Sequence, residues 1–333
     1  MVPAAMPRAT TSKALLLLGC AVALAAAGAR GAVLTTAVGD YEPTSDMDMS
    51  ELCGLSDAVS KIKDLLGAES PDFDAIKAAY EDGAQALATA DYSGTMYFDM
   101  NAAYFNSTTW IDDYILSAIE DTIPGADLSA RLEIIEKTAM DAIAVNSIMY
   151  YLDGALNDTS AWDAAAALYT GCGDNNTAGG PGSAPYGRAT KRGANYGTAD
   201  EEGNANANKK AMAAFAEGAS EETVEAVVDA ILTTYGQAAT RYGFKVDGAC
   251  ESGTCSDYEE VQGEGWAFWR VIEAHVADVD PDAAAAITKM YTVDGEAPDN
   301  IEGGNYCAIV KAVDEALKAE DFGVLEDTED VTC

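Results

Sequence analysis

The sequence predicts an all-α fold of two helical bundles, and three observations lead to this prediction. Apolar residues make up 49% of the 333 residues, which is enough for a sizeable buried core. Apolar side chains recur at three- and four-residue steps over long stretches, as they do on the buried face of an amphipathic helix. Two-residue alternation, which is the pattern of a half-buried strand, is scarce, and the sequence shows no convincing pair of strands.

The first 32 residues have the features of a secretion signal. A positively charged start precedes the small-apolar run at 14–27, and a cleavage site falls near Ala32. The run is too short to cross a bilayer permanently, and no second apolar run of about 20 residues follows it. We therefore expect residues 1–32 to be removed and the protein to be secreted, to the periplasmic space or the cell surface, without stable membrane insertion.

The helices can be predicted in order from their caps and their apolar faces. Ser50 begins a helix that Gly67 ends. Ser220, followed by two glutamates, caps a long helix whose apolar face continues to Tyr242. The other helices are predicted at 71–82, 108–122, 127–156, 160–169, 205–217, 257–278, 281–291 and 305–320.

A segment rich in Gly, Asn and Ala, at 171–206, divides the chain after the signal. Its composition is typical of a long loop or of a connection between domains. It separates an N-terminal bundle at 33–170 from a C-terminal bundle at 207–333, each about the size of an ordinary domain. Within the first bundle, the helix at 127–156 is apolar on two sides, which indicates a central position.

The cysteines and the glycosylation sequons agree with secretion. Of the seven cysteines, Cys20 lies in the signal, so an even number remains, and such a number in a secreted protein predicts three disulfides. The candidates are Cys53, Cys172, Cys250, Cys255, Cys307 and Cys333. Cys250 and Cys255 are close enough in sequence to pair with each other. Sequons that would mark exposed surface lie at Asn106, Asn157 and Asn175.

The charge balance argues against several classes of function. Lys and Arg together number 19, whereas Asp and Glu number 56, so the formal net charge is -37. A surface this acidic repels phosphate backbones and anionic lipids, so we expect no nucleic-acid partner, while cations should be attracted. The single histidine excludes a zinc or haem site built on several histidines, and no nucleophile elbow or phosphate loop indicates an enzyme.

The most informative segment, at 257–273, contains two glutamates one helical turn apart. Glu260 and Glu264 share a helix face whose continuation is apolar, so their like charges would become costly on burial. A buried pair needs a shared proton, an arginine or a metal ion, and Arg270 is the nearest structural partner. Ion pairing, metal binding and acid–base catalysis all remain open for this pair.

Further oxygen donors lie in the central helix and in a tyrosine-rich region. Glu133 and Glu136 are three residues apart, and Asp141 falls in an otherwise apolar row, where Lys137 could simply neutralise it. Tyrosines are frequent between residues 92 and 151, and phenolate and carboxylate oxygens suit hard cations such as iron. Each of these tyrosines is also an ordinary candidate for the core.

One basic segment stands out in this acidic chain. Residues 186–196 carry two arginines, a lysine and two tyrosines, and these side chains could hold an anion. Local charge balance on a loop is the alternative of equal weight. The single histidine, His275, is expected to be packed or at the surface, because nothing in the sequence pairs with it.

The segment Glu264-Gly-Trp-Ala-Phe-Trp-Arg270, with the preceding Tyr258-Glu-Glu260 and the Arg192-Gly-Ala-Asn-Tyr196 region, resembles the Fe-assimilating, low-iron-inducible periplasmic proteins of green algae. The phytotransferrins of the cell surface share that domain more distantly. The resemblance covers roughly residues 40–325, and it implies a secreted protein of iron binding or iron assimilation with no redox cofactor of its own. The phytotransferrin branch implies ferric iron held with carbonate.

We therefore expect a protein that is not an enzyme and that binds Fe³⁺ through carboxylate and tyrosine oxygens, with a carbonate-like anion as a companion. The expected metal ligands are Glu260, Glu264, Asp141, Glu136 and Tyr151, and the expected anion-binding residues are Arg270 and Arg192. A cell-surface iron transporter or reductase is the class of partner to which such a protein would deliver iron. The alternatives are an acidic structural or cation-buffering protein without a defined site, and a hydrolase that uses the glutamate pair.

Overall fold

The computed structural model describes residues 33–172, 184–250, 258–298, 300–318, 321–328 and 333. Within these ranges the chain is helical apart from turns, an isolated bridge and one small hairpin, which confirms the predicted all-α class. The hairpin pairs β1 (Leu34–Thr36) with β2 (Gly39–Tyr41) in an antiparallel register. Strands of three residues are too short to leave an alternating pattern in the sequence, so the sequence did not predict them.

The observed helices match most of the predicted ones to within about one helical turn. They are α1 (Ser50–Leu66), α2 (Phe73–Gly83), α3 (Gln85–Ala88), α4 (Met96–Phe105), α5 (Trp110–Ile119), α6 (Leu128–Lys137), α7 (Ile143–Gly154), α8 (Thr159–Thr170), α9 (Pro185–Asn195), α10 (Asn206–Glu217), α11 (Glu221–Ala249), α12 (Tyr258–Val279), α13 (Pro281–Tyr291) and α14 (Asn305–Leu317). The sequence did not predict α3, α4 or α9. The cap expected at Ser220 is confirmed, because its side chain and that of Thr223 form a reciprocal capping box at the start of α11.

A π-helical turn, Thr138–Ala142, joins α6 to α7 and makes them one continuous central helix. All five residues of this turn are buried, which confirms the central position predicted for this part of the chain. A π-turn is rare, and it inserts an extra residue into the helical ladder, so the side chains after it point in a different direction. Here the wider turn carries Asp141 inside the protein, where its exposed fraction is 0%.

The loop expected over 171–206 is wrong in part, because residues 185–195 form α9. Pro185 lies in the first turn of this helix, where a backbone N–H would have no hydrogen-bond acceptor within the helix, so the N–H that proline lacks is not missed. α9 packs against α8, α10 and α11 and buries Arg188 and Arg192. The basic segment is therefore a helix set into the protein, while residues 173–183 lie outside the described residues.

The two predicted halves share a hydrophobic core. α12 packs along α6 and the π-turn of the N-terminal half, and also against α11 of its own half. Gly263 permits the approach of α12 to α6, because a Cβ atom at this position would lie 2.8 Å from the Cα of Ala130. Buried apolar residues from both halves accordingly form one continuous cluster.

Two disulfides join described residues, Cys53 to Cys172 and Cys307 to Cys333. Cys250 is also disulfide-bonded, but Cys255, its expected partner, lies outside the described residues. Asn106 and Asn157 are exposed, as glycosylation would require, while Asn175 and the signal at 1–32 lie outside the described ranges. Among the helices that are described, none has the combination of length and apolar character needed to cross a membrane.

Candidate functional site

Seven of the 19 lysine and arginine residues lie near one another in the fold. Each either affects the pKa of another member or has its own pKa affected by the charge of another member. We call them the basic cluster, and they are Lys63, Lys137, Arg188, Lys191, Arg192, Arg241 and Lys245. They come from α1, α6, α9 and α11, and the four-residue spacings within α9 and α11 put two of them on one helix face in each case. In a chain with a net charge of -37, this concentration of positive charge needs an explanation.

Arg192 is the member of the basic cluster whose charge is least well satisfied. Its exposed fraction is 5%, and its Nε and Nη1 atoms are buried without a hydrogen-bond partner among the described residues. Burial, and then the charge of Arg188, lowers the pKa of Arg192 to about 10. Unpaired buried donors are rare in folded proteins, and a bound anion could accept from a guanidinium that lacks partners in this way.

Two lysines of the basic cluster are also disfavoured in their charged form. Partial desolvation, followed by the charge of Arg188, lowers the pKa of Lys191. Partial desolvation, followed by the charge of Arg241, lowers the pKa of Lys245. In each case a like charge opposes the protonated lysine, so an anion placed among these groups would relieve the repulsion.

Lys137 is surrounded by three carboxylates. Its Nζ atom lies 3.0 Å from Glu133, 3.0 Å from Glu136 and 3.5 Å from Glu264, and all four side chains are largely buried. Burial opposes the charge of Lys137, but the carboxylates of Glu264 and Glu133 outweigh it and raise the pKa of this lysine. Burial raises the pKa of Glu133, because the positive charge of Lys137 only partly offsets the cost of burying this carboxylate.

Asp141 is held by two buried side chains. Its carboxylate accepts hydrogen bonds from Nε and Nη2 of Arg188, at 3.2 and 2.7 Å, and from the hydroxyl of Tyr235 at 2.8 Å. The guanidinium of Arg188 also stacks on the ring of Phe268, with 4.4 Å between its central carbon and the ring centroid. The neutralising partner of Asp141 is thus Arg188, and the expectation that Lys137 has this role is wrong.

Tyr242 provides a second oxygen beside Glu264, and the sequence reasoning missed it. Its hydroxyl lies close enough to Glu264 to feel that charge, and burial, followed by the carboxylate of Glu264, raises the pKa of Tyr242. Arg192 and Arg241 both act on the same hydroxyl and oppose that rise. Tyr242 lies seven residues, or two helical turns, after Tyr235 on α11. This spacing puts both tyrosines on the buried face of the helix, so the sequence did indicate that Tyr242 points into the protein.

The structure brings together only part of the predicted iron site. Glu264 and Glu136 both reach Lys137, whereas Glu260 is exposed and its charge acts on Lys245. Tyr151 lies on α7 with its ring against Tyr150, at a centroid distance of 5.2 Å. Among the described residues, no three carboxylate, histidine or cysteine side chains are arranged to hold a metal ion.

The two predicted anion-binding arginines lie in different surroundings. Arg192 belongs to the basic cluster, as its unpaired donors show. Arg270 makes no ion pair with Glu260 or Glu264, which was one of the possibilities that the sequence left open, but lies over the rings of Phe105 and Tyr114, each 4.3 Å from its central carbon. The two arginines therefore lie in separate places in the fold.

No family model, no curated protein and no solved structure matches this chain. The resemblance to algal iron-assimilation proteins therefore stays a prediction from the short motif around Glu264 and Arg270.

Proposed function

We propose that this protein is a secreted iron-binding protein in which the basic cluster holds a small oxyanion of the carbonate type, and in which Fe³⁺ binds to that anion, Tyr242 and Glu264. The observation that carries the proposal is the buried guanidinium of Arg192, which has two unpaired donors. A carbonate ion presents planar, adjacent oxygens, and these match the in-plane donors of a guanidinium. The resemblance stated above supplies the identity of the metal.

The anion is needed because the protein alone supplies too few oxygens. Tyr242 and Glu264 provide two oxygen ligands that lie near each other, and the described residues contain no ready cluster of three metal-binding side chains. A hard trivalent ion prefers several oxygen ligands. A carbonate held by Arg192 would add further oxygens and would also offset part of the metal's charge.

Charge also favours this order of assembly. Carboxylates balance Lys137 and Arg188. Four other members of the basic cluster have no ion pair among the described residues, and these are Lys191, Arg192, Arg241 and Lys245. Their positive charge repels a free ferric ion and attracts a divalent oxyanion. Once the anion is bound, the phenolate of Tyr242 and the carboxylate of Glu264 complete a negatively charged set of oxygens. We therefore expect iron to bind tightly only when a suitable anion is present.

Binding must also remove a proton from Tyr242. Burial and Glu264 raise the pKa of this phenol, so the metal-free protein keeps it protonated at neutral pH. A metal that takes the phenolate releases this proton, and its apparent affinity must therefore increase with pH. A tyrosinate bound to ferric iron also gives a visible absorption band, which makes the step observable.

The proposal is tested by titrating the protein with a ferric chelate, in buffer with bicarbonate and in buffer depleted of it. We expect one saturable, coloured site in bicarbonate and a loss of affinity of tenfold or more without it. Tyr242→Phe should abolish the visible band, and Glu264→Gln should lower the affinity by an order of magnitude, because each removes an anionic ligand. Arg192→Gln should remove the dependence on bicarbonate.

Tyr169→Phe serves as the matched control, because its hydroxyl is buried on Asn208 and belongs to no proposed ligand set. This variant should keep the band and the affinity of the unchanged protein. Equal titrations of Tyr242→Phe, Glu264→Gln and the parent would contradict the site. Many weak sites without colour would instead favour the acidic, cation-buffering protein.

A further inference from the structure

A second arginine with an unpaired buried donor, Arg270, lies between α4, α5 and α12. A surface cavity of about 330 Å³ opens there, and three of the residues that line it are Phe105, Tyr114 and Arg270. The central carbon of Arg270 lies 4.3 Å from the ring centroids of Phe105 and Tyr114. The rings of Trp110 and Trp266 follow at 6.0 Å, so four aromatic side chains surround one guanidinium.

Three polar hydrogens in this group have no acceptor. The Nε atom of Arg270, the indole Nε1 of Trp266 and the hydroxyl of Tyr114 are all buried without a hydrogen-bond partner among the described residues. The rings of Tyr114 and Trp266 lie edge to face at a centroid distance of 5.1 Å, and the ring of Tyr114 also contacts the guanidinium of Arg270. A buried donor without an acceptor is destabilising, and three together are not expected unless something else accepts from them.

The acidic side chains nearby form no ion pair with Arg270. Asp113, which lines the cavity, accepts hydrogen bonds from Ser107 at 2.7 Å and from Thr109 at 3.1 Å. Glu273, one turn after Arg270 on α12, accepts from Tyr104 and Thr288 through Oε1, while its Oε2 is buried without a hydrogen-bond partner among the described residues. In the described part of the chain, no carboxylate lies within the 4.0 Å of Arg270 that an ion pair requires.

The surrounding rings determine what kind of ligand fits. Stacking on aromatic rings occupies the faces of a guanidinium and leaves its donors free in the plane, where a carboxylate is bound side by side. Burial raises the pKa of Tyr114 well above its ordinary value, so its hydroxyl remains a neutral donor at physiological pH. The apolar walls favour a ligand that carries its carboxylate on a flat apolar body.

We infer that the cavity at Arg270 binds a small aromatic carboxylate, whose two oxygens accept from Arg270 and Tyr114 and whose ring packs against Phe105 and Trp110. This site is separate from the basic cluster and requires neither iron nor carbonate. Its occupancy is therefore independent of the proposed function, and its failure would leave the iron proposal untouched.

The experiment is a titration of the iron-free protein with benzoate, followed by calorimetry and by tryptophan fluorescence, since two indoles lie within 6.0 Å of the guanidinium carbon. We expect one saturable site. Acetate, which lacks the ring, and benzyl alcohol, which lacks the charge, should each bind at least about tenfold more weakly.

Variants then assign the binding to this cavity. Arg270→Lys keeps the charge but removes the planar pair of donors, and Tyr114→Phe removes a single hydroxyl, so benzoate affinity should fall about tenfold and several-fold respectively. Arg241→Lys, in the basic cluster, is the control and should bind benzoate as the parent does. Circular dichroism and urea midpoints establish that each variant is folded.

Three results would overturn the inference. The first is an absence of saturable benzoate binding to the folded parent protein. The second is an unchanged affinity in folded Arg270→Lys, or in Tyr114→Phe should the arginine variant fail to fold. The third is a loss of benzoate binding in Arg241→Lys, which would place the ligand in the basic cluster instead.

Discussion

Replacing Asp141 with asparagine tests whether this carboxylate stabilises the fold or binds a metal ion. Its side chain has an exposed fraction of 0%, and it accepts hydrogen bonds from Arg188 and Tyr235. Arg188 is itself only 4% exposed, and the carboxylate of Asp141 raises the pKa of its guanidinium against the effect of burial. The two charges are therefore removed from water together and depend on each other.

Asparagine has nearly the shape of aspartate, so the substitution opens no cavity and isolates the loss of charge. The variant leaves the guanidinium of Arg188 buried without its counter-charge. Removing one partner of a buried ion pair costs about 3–5 kcal/mol, whereas ordinary domains have about 5–15 kcal/mol of stability in total. We therefore expect Asp141→Asn to lose a large share of the free energy of unfolding.

The assay is urea unfolding followed by circular dichroism, in buffer that contains a metal chelator. Asp141→Asn should lose about 3–5 kcal/mol in the absence of any metal, and the double variant Asp141→Leu with Arg188→Met should recover most of the loss, because no buried charge is left unpaired. A loss below about 1 kcal/mol, or a loss that appears only when iron is supplied, would refute the structural role and would restore Asp141 as a ligand.

Two further predictions concern stability alone. Burial lowers the pKa of His275 to about 4, so the folded protein binds a proton at this residue less readily than the unfolded chain does. The free energy of unfolding should therefore decrease as the pH falls from about 6.5 towards 4. After allowance for the partial exposure of the ring, the expected loss is about 2 kcal/mol. Urea midpoints from pH 7 to 5 should fall less steeply in His275→Asn, and equal slopes would contradict this. Removing the Cys53–Cys172 disulfide, with a separation of 119 residues, should cost about 1.3 kcal/mol more than removing Cys307–Cys333, with a separation of 26, on chain-entropy grounds. Unfolding of the two double serine variants measures the difference, and equal losses would count against the entropic explanation.

The sequence predicted the long helices well because their signals are local. The cap at Ser220 and the recurring apolar residues depend only on near neighbours, and both appear in α11 as expected. The helix α9 was missed because Gly, Asn and Ala dominate its surroundings and because its buried face carries two arginines instead of apolar residues. Pro185 at its first turn was the one local signal of a helix start.

The candidate site was harder to predict because its pairings are not local. The four-residue spacing correctly put Glu260 and Glu264 near one face of α12, but packing against α6 at Gly263 decides how far each is buried. Glu264 then meets Lys137 from α6, while Glu260 stays exposed. No periodicity in a single sequence specifies which lysine of one helix reaches which glutamate of another.

The position of Lys137 has a consequence for the proposed iron binding. Its ammonium lies among three carboxylates, so the metal-free protein already has a positive charge beside Glu264. Iron that takes Glu264 must displace this lysine, which keeps Glu133 and Glu136 as its partners at 3.0 Å. The exchange adds positive charge next to the basic cluster, and it is favourable only if negative charge enters as well. In the proposed function a carbonate-type anion on Arg192 would supply that charge, so the proposal requires the anion and the metal to bind together.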